Sequence, residues 1–331
     1  MNAFVPAEWA PHRAIWVGFP SHGELWEDDL EPAQAEAAAL ARALAEVGGE
    51  RVPLMVCGEA AADAARALLG DVAGIEIVPG RFGDVWLRDT APIFLGPDDA
   101  RAFRFNGWGG KYILEGDDEV PEQVAGAARA RLQRSDFVLE GGAVDHDGEG
   151  TVLTTRECLL NPNRNRGWTE AAAEAALAGA LGVRKVIWLE KGLLNDHTDG
   201  HVDNLARFVA PGVVAIPLSF GAGDPHRFVY DAAARDLATA TDAAGRRLKV
   251  MRIPSPGLVP GPGGLSAPAS HMNFVIAGKA VVVPTYNARP AELALDGFRV
   301  LFPDHKVIGL PSRALLTGGG SFHCITQQEP A

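Results

Sequence analysis

The sequence predicts an α/β fold in which five strand–hairpin–helix units close into a ring. Three observations carry this reading. Helix-like and strand-like segments alternate along the chain. Each helix is followed by one short strand and then by a run with the length and turn chemistry of a hairpin. The last unit lacks a partner strand, which the N-terminal segment can supply. A doubly wound parallel sheet would also alternate helix and strand. It links its strands by helical crossovers, however, so a hairpin in every unit counts against it.

The Ala-rich runs 33–45, 60–69, 171–181 and 231–244 read as helices. In the first, Ala37, Leu40, Leu44 and Val47 fall at helical spacing and Gly48-Gly49 stops the run. In the third, Thr169 is the expected N-cap and Gly182 the C-terminal stop. The single strands are 74–78, 136–139, 184–189, 248–253 and 306–310, and the hairpins are 91–105, 143–155, 204–218 and 273–286. The hairpin turns carry Gly-Pro-Asp-Asp (96–99), Asp-Gly-Glu-Gly (147–150), Pro-Gly (211–212) and Ala-Gly-Lys (277–279), residues that favour turns through preset or positive φ. The fifth unit ends at 322–327, and its missing strand is 14–19, which closes the ring. The Pro-rich stretch 254–268 reads as a long surface loop, suited to a lid over a site. With no linker in view, residues 1–331 are expected to form one catalytic domain.

Composition removes several classes. Lys and Arg number 30 against 42 Asp and Glu, a formal charge of −12, which argues against a nucleic-acid partner. A negative field suits a cationic substrate, although solubility is the more ordinary reason for such a charge. No run approaches the apolar length of a membrane span, and residues 1–20 lack the basic and apolar regions of a signal peptide. Three widely spaced cysteines, Cys57, Cys158 and Cys324, offer no Cys-x-x-Cys, so a reduced cytoplasmic setting fits.

The polar residues that look misplaced share one position in the repeat, between the single strand and the next hairpin. Unit one offers Trp86-Leu87-Arg88-Asp89, unit two Glu140-Gly141-Gly142, unit three the segment 197–203 with His201 and Asp203, and unit five the segment 318–324 with Cys324. In a ring, equivalent positions face the common axis. Two Asp, one Glu, one His and one Cys are therefore expected in one pocket. Taken singly each has an ordinary reading: a surface ion pair for Arg88-Asp89, backbone satisfaction for His201 and Asp203, a small buried hydrophobe for Cys324. Joint placement changes that weighting. A metal is not expected, because His-x-Asp has no third ligand at close spacing. In addition, His323 and Cys324 cannot both point inward from one strand. The glycines of 318–320 suit a backbone that approaches a ligand closely.

A Cys, a His and one carboxylate would suffice for acyl transfer. Three carboxylates suit a planar cation instead. A guanidinium presents its N–H donors in a fixed fork that pairs bidentately with carboxylates. Two Asp can clamp its edges and hold its central carbon over a thiolate, which the cation also favours.

These residues lie in longer motifs. They are Val5-Pro6-Ala7-Glu8-Trp9; Trp86-x-Arg88-Asp89-x-x-Pro92; Phe105-Asn106-x-Trp108-Gly109-x-Lys111; Glu140-Gly141-Gly142; Cys158-Leu159-Leu160-Asn161-x-Asn163-Arg164-Asn165; Asp199-Gly200-His201-Val202-Asp203-Asn204; and Gly318-Gly319-Gly320-x-x-His323-Cys324-Ile325-Thr326-Gln327-Gln328. Together they resemble the agmatine deiminase family, with its bacterial peptidyl-arginine-deiminase-like members, in the guanidino-group-modifying superfamily. The likeness spans residues 5–328. It departs at Val5, where Met is commoner, and at Ser321, where Asn is frequent.

The resemblance implies a five-fold pseudosymmetric α/β propeller. It also implies cofactor-free hydrolysis of a small cationic guanidine, agmatine to N-carbamoylputrescine and ammonia, a step of polyamine biosynthesis. By motif, Cys324 is the nucleophile and His201 the general acid/base. Asp89 and Asp203 hold the guanidinium, and Glu140 orients it and the imidazole. Trp86 and Trp108 are expected to line the substrate's aliphatic part or stack on its cation, with core packing the alternative. The 161–166 segment is expected to border the site. Deimination of free or peptidyl arginine is an alternative, as is amidino transfer on the same scaffold. A non-catalytic binding relative fits less well with an intact Cys, His and carboxylate set. For the far end of the substrate the sequence offers Glu8, Asp28 and Asp196 for an amine, or Arg13, Arg164 and Arg207 for a carboxylate. A homo-oligomer is compatible with all of these readings.

Overall fold

A computed structural model describes residues 4–331. The chain opens with strand β1 (His12–Gly18), helix α1 (Leu30–Arg42), β2 (Val52–Val56), α2 (Glu59–Leu69) and β3 (Ile75–Pro79). Four units of one pattern follow. They are β4 (Ile93–Gly96), β5 (Asp99–Arg104), α3 (Val120–Ala128) and β6 (Arg131–Val138); then β7 (Asp145–His146), β8 (Thr151–Thr155), α4 (Glu170–Leu181) and β9 (Lys185–Leu189). After them come β10 (Arg207–Ala210), β11 (Val213–Leu218), α5 (Arg227–Thr239) and β12 (Lys249–Pro254); then β13 (Val275–Ile276), β14 (Ala280–Thr285), α6 (Ala288–Leu301) and β15 (Lys306–Pro311). The chain ends in β16 (Thr326–Pro330).

Each of the four units forms a three-stranded sheet. Its hairpin is antiparallel, and its helix crosses over to lay the third strand parallel to the second. The remaining sheet has the order β16-β1-β2-β3, with β16 antiparallel to β1 through pairs such as Trp16 with Gln327. The two ends of the chain thus share a sheet, and five such blades make the five-fold pseudosymmetric α/β propeller. The expected hairpin is present in each of these four units, joined to a helical crossover that the sequence reading assigns to the competing doubly wound sheet.

The third strands and the four helices expected at 33–45, 60–69, 171–181 and 231–244 lie within a few residues of those places, helices α3 and α6 are additions, and the exceptions among the rest have local causes. Strand β2 is an addition to the expected set, and it makes the first sheet four-stranded. Helix α5 ends at Thr239 rather than continuing to 244, because the Asp242 carboxylate accepts from the backbone of Ala244 and Arg246 and forms a turn there. The largest correction concerns the closing strand, which begins at Thr326. Residues 321–325 are a turn, with Ile325 N–H on Ser321 O and Thr326 N–H on His323 O. Apolar residues fill the space between each sheet and its helices. Ala33, Ala37, Ala41 and Leu44 face Val52 and Leu54 in the first blade, and Phe274, Phe298 and Phe302 form the centre of the fifth. Among the described residues no helix is long and apolar enough to cross a membrane.

Candidate active site

The loop that follows the third strand of each sheet carries polar residues to the axis. After β3 a short helical turn, Leu87–Thr90, presents Asp89. After β6, Glu140 precedes a 3-10 turn over Gly141–Ala143. After β9, His201 precedes a 3-10 turn over Val202–Asn204 that holds Asp203. After β15, the 321–325 turn holds Cys324. The loop after β12 supplies Asn273, the fifth member of the set. It lies at the same repeat position as the others but in no recognised motif. All these side chains are buried, from Asp203 at 0% exposure to Asp89 at 7%.

The structure brings the expected residues together. Cys324 Sγ lies 3.7 Å from Asp203 Oδ2, and His201 Nδ1 lies 3.7 Å from Asp89 Oδ1. Gly142 marks how tightly the loops converge. A Cβ there would sit 2.5 Å from His201 Nδ1 and 3.0 Å from Asp89 Oδ1, so no larger residue fits. Its N–H donates to Asp89 Oδ1 at 3.0 Å, and Trp108 Nε1 donates to Asp89 Oδ2 at 2.9 Å. Asn273 fastens the Cys324 turn. Its Oδ1 accepts from the N–H groups of His323 and Cys324, which aims Nδ2 at Cys324 Sγ, 3.1 Å away.

Several single-residue expectations change. His323 and Cys324 both reach the interior, because a turn frees neighbouring side chains from the alternation a strand imposes. Arg88 is no surface partner of Asp89; it is buried, donating to Gln327, Gln328 and His323 O. Glu140 makes no hydrogen bond to His201. Its Oε1 accepts Arg164 Nε at 2.7 Å, and both His201 ring nitrogens lack a partner among the described residues. The 161–166 segment does border the site, through Arg164 on Glu140 and Asn163 on Asp199. A third group that could share a metal with Glu140 and His201 comes from Cys158, their donor atoms lying within 4.8 Å of one another. The Arg164 guanidinium already bound to Glu140 opposes a second cation there.

A cavity of about 210 Å³ opens onto Cys324 and Asp89 and is walled by Trp26, Trp86, Trp108, Tyr112 and the backbone of Gly318–Gly320. Trp86 and Trp108 therefore line it, as expected, while each indole N–H holds a carboxylate, Asp84 and Asp89 respectively. Across the Trp86 indole from the Gly320–Cys324 turn lies Asp84. It accepts from Val85 N, Trp26 Nε1 at 3.1 Å and Trp86 Nε1 at 2.8 Å. None of the far-end residues expected from sequence lines this cavity. Glu8 and Arg207 pair with each other, Arg13 pairs with Glu329, Asp196 holds Thr198, and Asp28 is exposed. Among the described residues, none of those in the 254–268 loop lines it either.

Burial sets the protonation pattern. It raises Asp89 well above the usual carboxylate range, helped by the neighbouring Asp203 and Glu140 charges. It raises the Cys324 thiol strongly too, again with Asp203 and Asp89 adding to the effect. It pushes His201 down to about 3, so the imidazole is neutral near pH 7. Burial would also raise Asp203, yet the hydrogen bond and charge of His323 override it and hold this carboxyl below its ordinary value. The site therefore combines an ionised carboxylate, a protonated one, a thiol and a neutral imidazole. A planar cation between the two Asp side chains would favour ionisation of both Asp89 and Cys324.

The chain matches the Porphyromonas-type peptidyl-arginine deiminase family over residues 4–330. It is 38% identical to an agmatine deiminase of Pseudomonas aeruginosa (strain LESB58), over 99% of this chain and 95% of that protein. The fold superimposes with a TM-score of 0.92 on an agmatine deiminase of Enterococcus faecalis catalysing its reaction. That pair shares 32% identity and covers 99% of this chain and 96% of the other. A cysteine-to-serine variant of the C. jejuni agmatine deiminase, with substrate bound, gives a TM-score of 0.88 at 27% identity, covering 99% of this chain and 96% of the other.

Proposed function

The chain belongs to the Porphyromonas-type peptidyl-arginine deiminase family, and from this we propose that it is an agmatine deiminase, a hydrolase that converts agmatine to N-carbamoylputrescine and ammonia. One observation carries the choice of agmatine. The described residues lining the cavity include two carboxylates, Asp89 beside Cys324 and Asp84 across the Trp86 indole, and no Lys or Arg. Agmatine is a dication with an ammonium at its far end, which Asp84 can pair with. The carboxylate of arginine would face Asp84 without a cation to neutralise it, and a buried charge left unpaired is costly. Burial raises Asp84, and the hydrogen bonds from Val85 N, Trp26 and Trp86 offset this only in part, so an arriving ammonium would stabilise its ionised form.

The placement of the groups supports the following chemistry. Asp89 and Asp203 clamp the guanidinium. The Cys324 proton passes to His201, and sulfur attacks the guanidinium carbon. His201 returns that proton to the departing –NH₂, which leaves as ammonia, and a cationic thiouronium stays on Cys324. His201 then takes a proton from water as its oxygen attacks the same carbon. The C–S bond breaks, the thiolate recovers a proton, and the ureide leaves; the remaining proton converts ammonia to ammonium. Glu140 lies beside the imidazole, where burial raises its carboxyl and the paired Arg164 guanidinium works against that rise. The paired first and last strands support reading the whole chain as one catalytic unit.

The test of the substrate is a ureide assay with agmatine, arginine and a blocked arginyl peptide in parallel. Agmatine should have the highest kcat/KM, because mismatched polar ends in a site built for one of them can cost ~10⁴ in specificity. Asp84→Asn should raise KM for agmatine and leave kcat nearly unchanged. An arginine kcat/KM equal to that for agmatine would refute the substrate assignment and leave the deiminase chemistry standing.

Binding should also release a proton. Asp89 holds its proton in the protein alone and must lose it to pair with a guanidinium, so agmatine should bind more weakly as pH falls. Below the raised pKa of Asp89 the loss approaches tenfold per pH unit. Calorimetry of agmatine binding to the Cys324→Ser variant, in buffers of differing ionisation heat, reads the proton directly. A pH-independent affinity with no released proton would show that Asp89 is already ionised.

A further inference from the structure

His323 does not line the substrate cavity. It faces a second, water-sized cavity of about 20 Å³, which Glu8, Arg88, Asp145 and His146 also bound. Its Nδ1 lies 2.8 Å from Asp203 Oδ2 and its Nε2 lies 3.1 Å from Glu8 Oε2. Both ring nitrogens thus meet carboxylate oxygens, which only accept hydrogen bonds when ionised, and an imidazole donates from both nitrogens only as the cation. Glu8 already accepts from Arg207 and from Ile276 N–H, contacts that favour its ionised form. Burial would raise Glu8, but the Arg207 charge, with that of His323, holds it well below the carboxylate range.

We propose that His323 is a positioning residue of this site, a buried imidazolium strung between Glu8 and Asp203 that keeps the Asp203 carboxylate ionised and aimed at the guanidinium. The inference rests on reading Asp203 as half of the guanidinium clamp. The charges around it support the cationic form. Asp203 and Glu8 face the ring directly, Arg207 and Arg88 lie behind them, Asp145 pairs with Arg207, and the Cys324 thiol is the chain neighbour. Three carboxylates, Glu8, Asp145 and Asp203, then face three cations, Arg88, Arg207 and His323. The two halves of the clamp are therefore unequal. Asp203 is ionised in advance by a cation of the protein, whereas Asp89 has none within hydrogen-bond reach and draws its counter-charge from the substrate.

The test reads the ring itself. In the ¹⁵N-histidine spectrum of the unaltered enzyme at pH 7, both ring nitrogens of His323 should be protonated, as two carboxylate partners require. In kinetics, His323→Gln should raise KM for agmatine about 10- to 100-fold with a smaller change in kcat. It should also steepen the acidic limb of kcat/KM and carry it upward, because Asp203 then meets burial without its cation and must lose a proton along with Asp89. One bare ring nitrogen on His323 at pH 7 would overturn the proposal. So would an unmoved acidic limb together with an unmoved KM in His323→Gln. If that variant does not fold, the spectrum of the unaltered protein decides. That spectrum is independent of which guanidine is turned over, so it separates this inference from the choice of agmatine.

Discussion

Cys324→Ser should lose ammonia release by several orders of magnitude, while Cys57→Ser and Cys158→Ser keep most of it. Cys324 is the only one of the three at the cavity wall beside Asp89 and the 318–320 backbone. Its sulfur is the atom toward which Asn273 Nδ2 and Asp203 Oδ2 converge. A serine hydroxyl fits the same space, but its far higher pKa leaves it un-ionised where the substrate cation can still draw a thiolate from Cys324. Cys158 is buried beside Glu140 and does not line the substrate cavity, so its sulfur has no access to the guanidinium carbon. Two measurements check this: turnover of each variant, and the mass of the protein after a haloamidine reagent, which should map to Cys324. Normal turnover in Cys324→Ser would exclude a covalent mechanism.

Asp89→Asn and Asp203→Asn should each reduce kcat/KM by roughly 10²–10³, since breaking one buried charge pair costs ~3–5 kcal/mol and 1.4 kcal/mol is one decade. The two should differ in what else they cost. Both Asp89 oxygens accept from fixed donors, Gly142 N and Trp108 Nε1. An amide in place of the carboxylate turns –NH₂ toward one of them, so Asp89→Asn should also lower Tm. Asp203 Oδ1 has no partner among the described residues, so the amide can take that place while the carbonyl keeps His323. Asp203→Asn should stay folded and lose mainly rate. Circular dichroism with steady-state kinetics separates these outcomes. Near-normal rates in both variants would mean that the reacting group is not a guanidinium.

Much of the frame and part of the site were legible in the residues. Alternating helix and strand signals, turn chemistry and glycine placement are local properties. They located the third strands, the hairpins and the loops that carry Asp89, Glu140, His201, Asp203 and Cys324. The repeat also pointed at a place in unit four, where Asn273 stands. No motif surrounds it, and a lone Asn before a hairpin looks like ordinary turn chemistry. Trp86 and Trp108 were legible as wall residues through their motifs, but the pairing of their indole N–H groups with Asp84 and Asp89 was not.

What the sequence by itself determined is therefore the unit, its order and the loop position at which polar residues recur, because each depends on neighbours within a few residues. Only the tertiary structure decided how those loops meet. Ring closure brings Glu8, Asp203 and His323 into one hydrogen-bonded chain across more than 300 residues of sequence. Long-range packing of that kind has no period to read. The turn at 321–325 depended on it as well, since Asn273, from another blade, holds the two backbone N–H groups in place. The position of Asp84 at the cavity was decided in the same way. Its sequence neighbours say nothing about the cavity, and it reaches the wall because Trp26, 58 residues earlier, packs against Trp86 and donates to it.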